Sequence, residues 1–534
     1  MHNLGFWLRG DCSVYEEWGE EWSCDAVLET FDTIEAMYAN VMGQDDMSNA
    51  PRAGFNSNVD EVIMQAFLDE GYDESTGRSV GDRMASSVSW TEWSNAINPL
   101  PFDRATADGM TFGSSRVTVG KVFIDPLRSL PNFDLKTNAK VMKIIFEDTT
   151  ATGVTYKNTL TDVEYTLTAD ETILALGSVT TAQLLLVSGI GPAADLAALG
   201  IPVVADLPVG AQYQNHVFNG AMYCSSTVWE TPSDAQGTFP PDYLFKGYST
   251  GFPTTTANVW AQATSSVSPG PADYSMSFIT NVDYGPFRGF FNVSGYEEIC
   301  NDVLGMSPVF VIIGVQYAHS RGNVTISSDS MDDYPVWQPG MFSDDKDATI
   351  LREAFATLRD TLGPLGFVEL FPSTTNGMED YSIYGTSDSF WHDSSTAAIG
   401  EVVDSTLKVY GVAGLRIADS SIQPWLANVP PTAIIQATGL MGASIILKDA
   451  VKTPTQVEST TSPVPWWYLG EDNGCPVECT ETSLAGGGCA IMEALLQGVS
   501  SAYDDLMAVA LDSCEGLSGC GDQLMYACDL SYSF

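Results

Sequence analysis

Glu171-Thr172-Ile173-Leu174-Ala175-Leu176-Gly177 runs directly into Ser178-Val179-Thr180-Thr181-Ala182-Gln183-Leu184-Leu185-Leu186-Val187-Ser188-Gly189-Ile190-Gly191-Pro192. The first seven residues read as a buried strand closing on a glycine, and Thr180 to Val187 as a helix. A strand, a glycine and a helix in that order are the ingredients of an α/β nucleotide-binding fold. Gly189-Ile190-Gly191-Pro192-Ala193-Ala194 also fits GxGxxA, with Asp206 downstream where a ribose-binding acid belongs. An NAD site is nevertheless rejected here. The preceding segment is helical rather than extended, and Pro192 lacks the N–H that a phosphate turn needs.

Outward from this stretch the chain alternates β-rich and helical segments. Lys140 to Phe146 and Gly153 to Tyr156 read as strands, as do Tyr274 to Ile279 and Val309 to Val315. Asp60 to Tyr72 reads as an amphipathic helix, with Val62, Ile63, Ala66 and Phe67 at helical spacing. Asp347 to Leu362 reads as another helix with Asp347 as its N-cap, and Ala433 to Leu447 as a buried one. Lys452 to Pro465 has the Thr, Ser and Pro content of a linker, and a Cys-rich tail follows.

Several motifs, taken in order, point to a family. Gly177 to Pro192 closely resembles the second signature of the glucose–methanol–choline (GMC) oxidoreductases, departing at Ala182, where that family has proline. Leu207-Pro208-Val209-Gly210-Ala211-Gln212-Tyr213-Gln214-Asn215-His216 resembles its LPVGxNLQDH element, with Gln212 for Asn and Asn215 for Asp. His319-Ser320-Arg321-Gly322-Asn323-Val324 resembles SRGxV, and His392 to Gly400 resembles HxxGTxxMG. Val402-Val403-Asp404 and Gly411 to Ser421 resemble VVD and GVxGLRVxDaS. The resemblance covers roughly residues 1–450. It implies an α/β fold in which a Rossmann-like FAD-binding domain is interleaved with an α+β substrate domain built on an antiparallel sheet. FAD-domain parts are expected at about 1–20, 112–222 and 398–450, and substrate-domain parts at about 21–111 and 223–397, with a linker at 451–474 and a tail at 475–534. Asn3 to Gly10 resembles the stretch that runs beside the flavin. The opening βαβ unit that should precede it needs ~30 residues, so the resemblance implies a chain truncated at its N-terminus, without that unit.

The resemblance also implies roles. Val141 is placed beside the adenine, and Gly177 near the cofactor's phosphate or ribose. Asn3, Asp419, Ser420, Val429, Pro430 and Thr432 would line the flavin site. His392 is the candidate base for an alcohol's hydroxyl proton, because imidazole titrates near neutrality. Asn428, four residues before Thr432, is its candidate partner, although Val429 occupies one alignment of that slot. His2, His216 and His319 read as structural, and Trp391 and Trp425 as core packing. The implied activity is oxidation of a CH–OH group by hydride transfer to FAD, with oxygen or another molecule as electron acceptor. The alternatives are a secreted, non-catalytic remnant of the family unable to bind FAD, and a non-redox or photochemical relative of its hydroxynitrile lyases or fatty-acid photodecarboxylase.

Composition narrows the partners. With 68 Asp+Glu against 22 Lys+Arg the net charge is −46, which repels nucleic acid and anionic membranes. No apolar run is long enough for a membrane span. Six cysteines, Cys475, Cys479, Cys489, Cys514, Cys520 and Cys528, crowd the tail. With no His and no paired CxxC there, disulfides are favoured over zinc, and no metal site is expected. Sequons at Asn292 and Asn323 agree with an extracellular or secretory location.

Overall fold

The computed structural model describes residues 8–42, 58–75, 86–90, 119–227, 259–268, 270–279, 295–296, 299–374 and 377–452. Asn3, His2, Asn292 and the Cys-rich tail lie outside the described residues. The described residues form two compact units. One holds those up to Leu28, from Asn58 to Trp90 and from Asn138 to Gly439; the other holds Glu29 to Met42, Val119 to Thr137 and those from Leu440 onward.

A sheet organises the first unit. Its strands are ordered Asp73–Ser75, Ser86–Trp90, Val259–Ala263, Tyr274–Ile279, Ser307–Val315, Val217–Ser225 and Val368–Phe371, and Asp388–Ser389 also pairs with Val217–Ser225. Among the described residues every pairing in it is antiparallel except that of the first two strands. The two-residue period of a strand separates its faces. Val309, Val311, Ile313 and Val315 face one side, in register with Tyr223, Ala221, Asn219 and Val217. The Asn58–Asp69 helix covers that face with Val59, Ile63, Met64 and Phe67, and the Lys346–Leu362 helix with Ile350, Leu351, Ala354, Phe355 and Leu358. Each such buried side chain contributes roughly 1.5–3 kcal/mol. Phe218, Met222, Phe310 and Ile312 face the other way, and the half-buried Phe390 packs against them. Phe390 carries the chain to His392.

The α/β portion stands beside this sheet in sequence. Thr172–Leu174 and Leu415–Ile417 pair in parallel, and the Ser178–Val187 helix follows the first of them through Gly177. Ala139–Glu147, Thr150–Asn158 and Glu164–Thr168 form a three-stranded antiparallel sheet. The strand expected from Glu171 to Gly177 is thus shorter and less buried than its composition suggests. With one strand neighbour among the described residues, it leaves Ile173 46% exposed. A second correction concerns Asp347. The helix starts at Lys346 with Asp345 at the cap position, and the buried Asp347 carboxylate instead accepts from the backbone N–H groups of His319 (2.8 Å) and Ser320 (3.1 Å).

Disulfides join Cys12 to Cys24 and Cys224 to Cys300. In the second unit, Tyr38 of the Cys24–Met42 helix meets Phe123 edge to face. Among the described residues no helix is long and apolar enough to cross a membrane.

Candidate active site

The Gly177 turn is the first element of the site. Gly177 has φ +82°, and a Cβ there would meet nothing within 4 Å, so the turn faces open space at the C-terminal end of its strand. Asp419, at the end of the parallel neighbour, fixes the turn. One carboxylate oxygen accepts from Gly177 N–H (2.9 Å) and Thr181 Oγ1 (2.6 Å), the other from Ser421 N–H (2.9 Å) and Ser421 Oγ (2.6 Å). Ser420 Oγ lies 2.8 Å from Ser178 Oγ. Asp419 therefore shapes the crevice with an already satisfied carboxylate. The crevice, at the C-terminal ends of parallel strands and beside a helix N-terminus, suits close approach of a dinucleotide's sugar or phosphate. Val141 sits on the Ala139–Glu147 strand opposite Tyr156 and is half-buried. Val429, Pro430 and Thr432 are buried.

The GxGxxA look-alike is settled by its surroundings. Its preceding segment is the Ser178–Val187 helix, and Asp206 accepts from Ala193 N–H at 2.8 Å, so that acid folds back on its own loop. A cavity of about 480 Å³ lined by Leu186, Leu196, Val209 and Val324 lies in this region, and neither His392 nor His216 lines it. Gly210, at φ +83°, passes so close to the next segment that a Cβ would sit 2.0 Å from Val324 O. The glycine of the LPVG-like element is thus needed for that backbone crossing, and Gly322 of the SRG-like element for another, where a Cβ would sit 2.2 Å from Gln338 O.

His392 is held from three sides. Its backbone N–H donates to Asn215 Oδ1 (3.1 Å), its ring stacks on Phe390 at 5.3 Å and 13°, and its Nδ1 lies 2.8 Å from Nδ1 of His216. No partner for its Nε2 exists among the described residues. His216 is fully buried, and its Nε2 lies 2.9 Å from Ala427 O. Burial pushes the His216 pKa down to about 3, against the pull of the Ala427 and Gln316 carbonyls. The His392 ring keeps some accessible surface, yet burial first and His216 second hold its pKa well below the ordinary imidazole value. Burial thus disfavours the charged form of both rings.

Asn215 is the hub beneath this pair. Its amide nitrogen lies within hydrogen-bonding distance of Tyr213 Oη (2.6 Å), Ser389 Oγ (2.7 Å) and Asp393 Oδ1 (2.9 Å), and Tyr213 also donates to Asp393. Burial raises the Asp393 pKa, while Tyr213 and Asn215 lower it. The departure from the LPVGxNLQDH pattern now has a reason: an Asp at 215 would oppose Asp393 with a second carboxylate. Asn215→Asp is expected to cost about 2–4 kcal/mol at neutral pH, because charge-assisted donors are lost and like charges are brought together. Urea unfolding should show that cost shrinking in mild acid, where a shared proton restores a donor. A cost unchanged by acid would contradict this account.

The remaining expectations sort plainly. Asn428 is 2% exposed; its Oδ1 accepts from Asp11 N–H (2.8 Å) and its Nδ2 donates to Ala272 O (3.1 Å). It ties the N-terminal segment down rather than standing open to a substrate. Trp391, expected in the core, is 45% exposed at φ +56°, because the turn into His392 carries it outward. Trp425 is sandwiched between Tyr317 (5.1 Å) and the Arg321 guanidinium (4.4 Å). His216 is the residue that sequence reasoning passed over.

Comparison with known proteins decides the family. The N-terminal GMC oxidoreductase domain matches residues 1–218 and the C-terminal one residues 318–439. The chain belongs to the GMC oxidoreductases. The N-terminal domain of this family is its FAD-binding domain, and relatives of this chain are named as oxidases and oxidoreductases, which supports an FAD-dependent oxidoreductase. Among curated GMC relatives, the Emericella nidulans oxidoreductase cicC is 30% identical over 63% of this chain and 59% of its own length. Ecdysone oxidase of Bombyx mori is 27% identical over 82% of this chain and 68% of its own. The match to the first thus spans less than two thirds of that relative. In fold, this GMC chain is similar to a variant of Aspergillus oryzae formate oxidase, with TM-score 0.66, 18% identity and coverage of 84% and 83%. A fungal aryl-alcohol oxidase gives 0.63 at 19% identity, covering 84% of this chain and 85% of its own.

Proposed function

We propose that this protein oxidises the CH–OH group of a small-molecule alcohol, with FAD as cofactor and His392 as the base for the hydroxyl proton. The observation that carries the reading is the His392 imidazole, locked by Asn215, Phe390 and His216 with its Nε2 unengaged among the described residues. Bound FAD supplies the two-electron acceptor for the hydride. Gly177 and Ser420 would approach its sugar or phosphate, with Val141 beside the adenine and Val429, Pro430 and Thr432 near the flavin; Asn3 is assigned there by resemblance. His392 orients the hydroxyl and takes its proton, and Phe390, itself packed on Phe218, covers one face of the imidazole. A base of low pKa suffices because the hydroxyl proton becomes strongly acidic as hydride departs.

The reaction's electrons pass on to oxygen or another acceptor. The two disulfides support maturation in an oxidising compartment, extracellular or secretory. The reading is tested with flavin-loaded protein held free of oxygen. Adding a panel of primary and secondary alcohols should bleach the oxidised flavin absorbance with at least one of them. A protein that holds FAD and is bleached by none is not an alcohol oxidoreductase.

A further inference from the structure

We infer that His216 is a positioning residue that sets the tautomer of His392, through an Nδ1-to-Nδ1 hydrogen bond that leaves the Nε2 lone pair of His392 free to accept a proton. The catalytic half of this inference rests on the function proposed above; the tautomer itself does not.

The assignment follows from counting hydrogens along one line. Ala427 O can only accept, so His216 Nε2, 2.9 Å away, carries a hydrogen. A neutral imidazole has one N–H, and burial keeps His216 neutral. Its Nδ1 is therefore an acceptor. The two Nδ1 atoms stand 2.8 Å apart, a distance that requires one hydrogen between them, neither none nor two. That hydrogen belongs to His392 Nδ1. The second nitrogen of His392, Nε2, then bears the lone pair.

The surroundings hold this relay in place. Gln214 and His216, two residues apart on one side of an extended segment, both grip the 424–427 backbone. Gln214 Nε2 donates to Pro424 O (2.8 Å) and its Oε1 accepts from Leu426 N–H (3.3 Å). That keeps Ala427 O where it fixes the His216 hydrogen. His216 O in turn accepts from Phe390 N–H (3.0 Å), two residues before His392. The rings of the pair stand at 87°, so the His216 lone pair meets His392 in an edge geometry. In the reaction the substrate O–H bond breaks and an N–H bond forms at His392 Nε2, while the C–H electron pair leaves with the hydride to oxidised FAD. The imidazolium so formed still donates from Nδ1 to His216, so its charge is stabilised with no proton needing to move between the rings.

The test is a two-bond proton–nitrogen correlation spectrum of FAD-loaded protein labelled with ¹⁵N-histidine. There are four histidines, His2, His216, His319 and His392, and single substitutions assign them. At neutral pH, His392 should show a protonated Nδ1 and an unprotonated Nε2, and His216 the reverse. A wild-type His392 carrying its hydrogen on Nε2 overturns the inference whatever the catalytic role of His392 proves to be. Two variants sharpen it. Asn at 216 keeps an acceptor oxygen near the place of Nδ1, whereas Gln reaches toward Ala427 and leaves nothing opposite His392. His216→Gln should move His392 to the Nε2–H tautomer and slow flavin reduction by alcohol about tenfold or more, since a wrong tautomer can cost up to ~10⁴-fold. His216→Asn should keep the tautomer and recover most of that loss. If the wild-type pattern is as expected but His216→Gln shifts the tautomer without slowing reduction, the positioning role falls. If His392→Ala too is reduced at the wild-type rate, the proposed function falls with it.

Discussion

His392→Ala is expected to slow reduction of the bound flavin by alcohol ~10²–10⁴-fold, the usual contribution of a positioned base. The imidazole makes one side-chain hydrogen bond among the described residues, to His216, and stacks on Phe390. Its removal should therefore leave the fold and the Gly177 crevice intact, and the variant should still hold FAD. The rate to follow is the bleaching of flavin on rapid anaerobic mixing, because turnover can be limited by reoxidation or product release. The pH dependence has a definite sign. Only neutral His392 can accept the proton, and its pKa is held well below the ordinary imidazole value. The wild-type rate should thus be flat through neutral pH and fall only in acid, below the range where a free imidazole titrates. A variant reduced at the wild-type rate would place the base elsewhere. A wild-type rate already falling on the neutral side would show that His392 is not held as described.

Much of the fold was legible because strand and helix periods survive packing. The Ser307–Val315 strand could be read from its run of β-branched residues, and the Asn58–Asp69 helix from its apolar spacing. The helix at Ser178–Val187 was legible too, and it disposed of the GxGxxA match. What sequence could not carry was the partner of a polar group. Asp347 marks a helix start by its type, but the donors it serves are at His319 and Ser320. The Glu171 to Gly177 run is apolar enough for a buried strand, but burial depends on neighbours, and among the described residues its strand has one, which leaves Ile173 exposed. His216 shows the limit most sharply. A histidine in a loop motif is more often structural, and its pairing with His392 spans 176 positions. The one local hint was Asn215 in place of Asp, which makes sense only once Asp393 is known to lie 2.9 Å away.

The same pair should make the protein sensitive to acid. His216 titrates at about 3 in the fold against 6.5 for a free imidazole, so below pH 6.5 the unfolded chain binds protons that the folded one refuses. Stability is therefore complete above the unfolded pKa, erodes as pH falls below it, and stops eroding near the folded value. At ~1.4 kcal/mol per pH unit over that window the loss reaches at most about 5 kcal/mol. That rivals the whole stability of many domains, ~5–15 kcal/mol. The two rings share one hydrogen bond and titrate as a pair, so the loss belongs to the pair rather than to His216 alone. Asp393 works in the opposite direction. Its pKa is raised by burial, so the folded state holds that proton more tightly and gains stability as pH falls through the carboxylate range. Asp393 and the Tyr213 and Asn215 groups that contact it are common to wild type and variants, which isolates the histidines. In His216→Asn the buried side chain no longer titrates, and His392 loses the neighbouring imidazole that helps depress it. Urea unfolding of both proteins from neutral pH to about pH 4 should show wild type losing roughly 2–4 kcal/mol relative to the variant, with the gap constant above the imidazole range. Parallel curves over the whole interval would mean that the pair is not buried neutral in the folded protein, and the low pKa assigned to His392 would fall with that result.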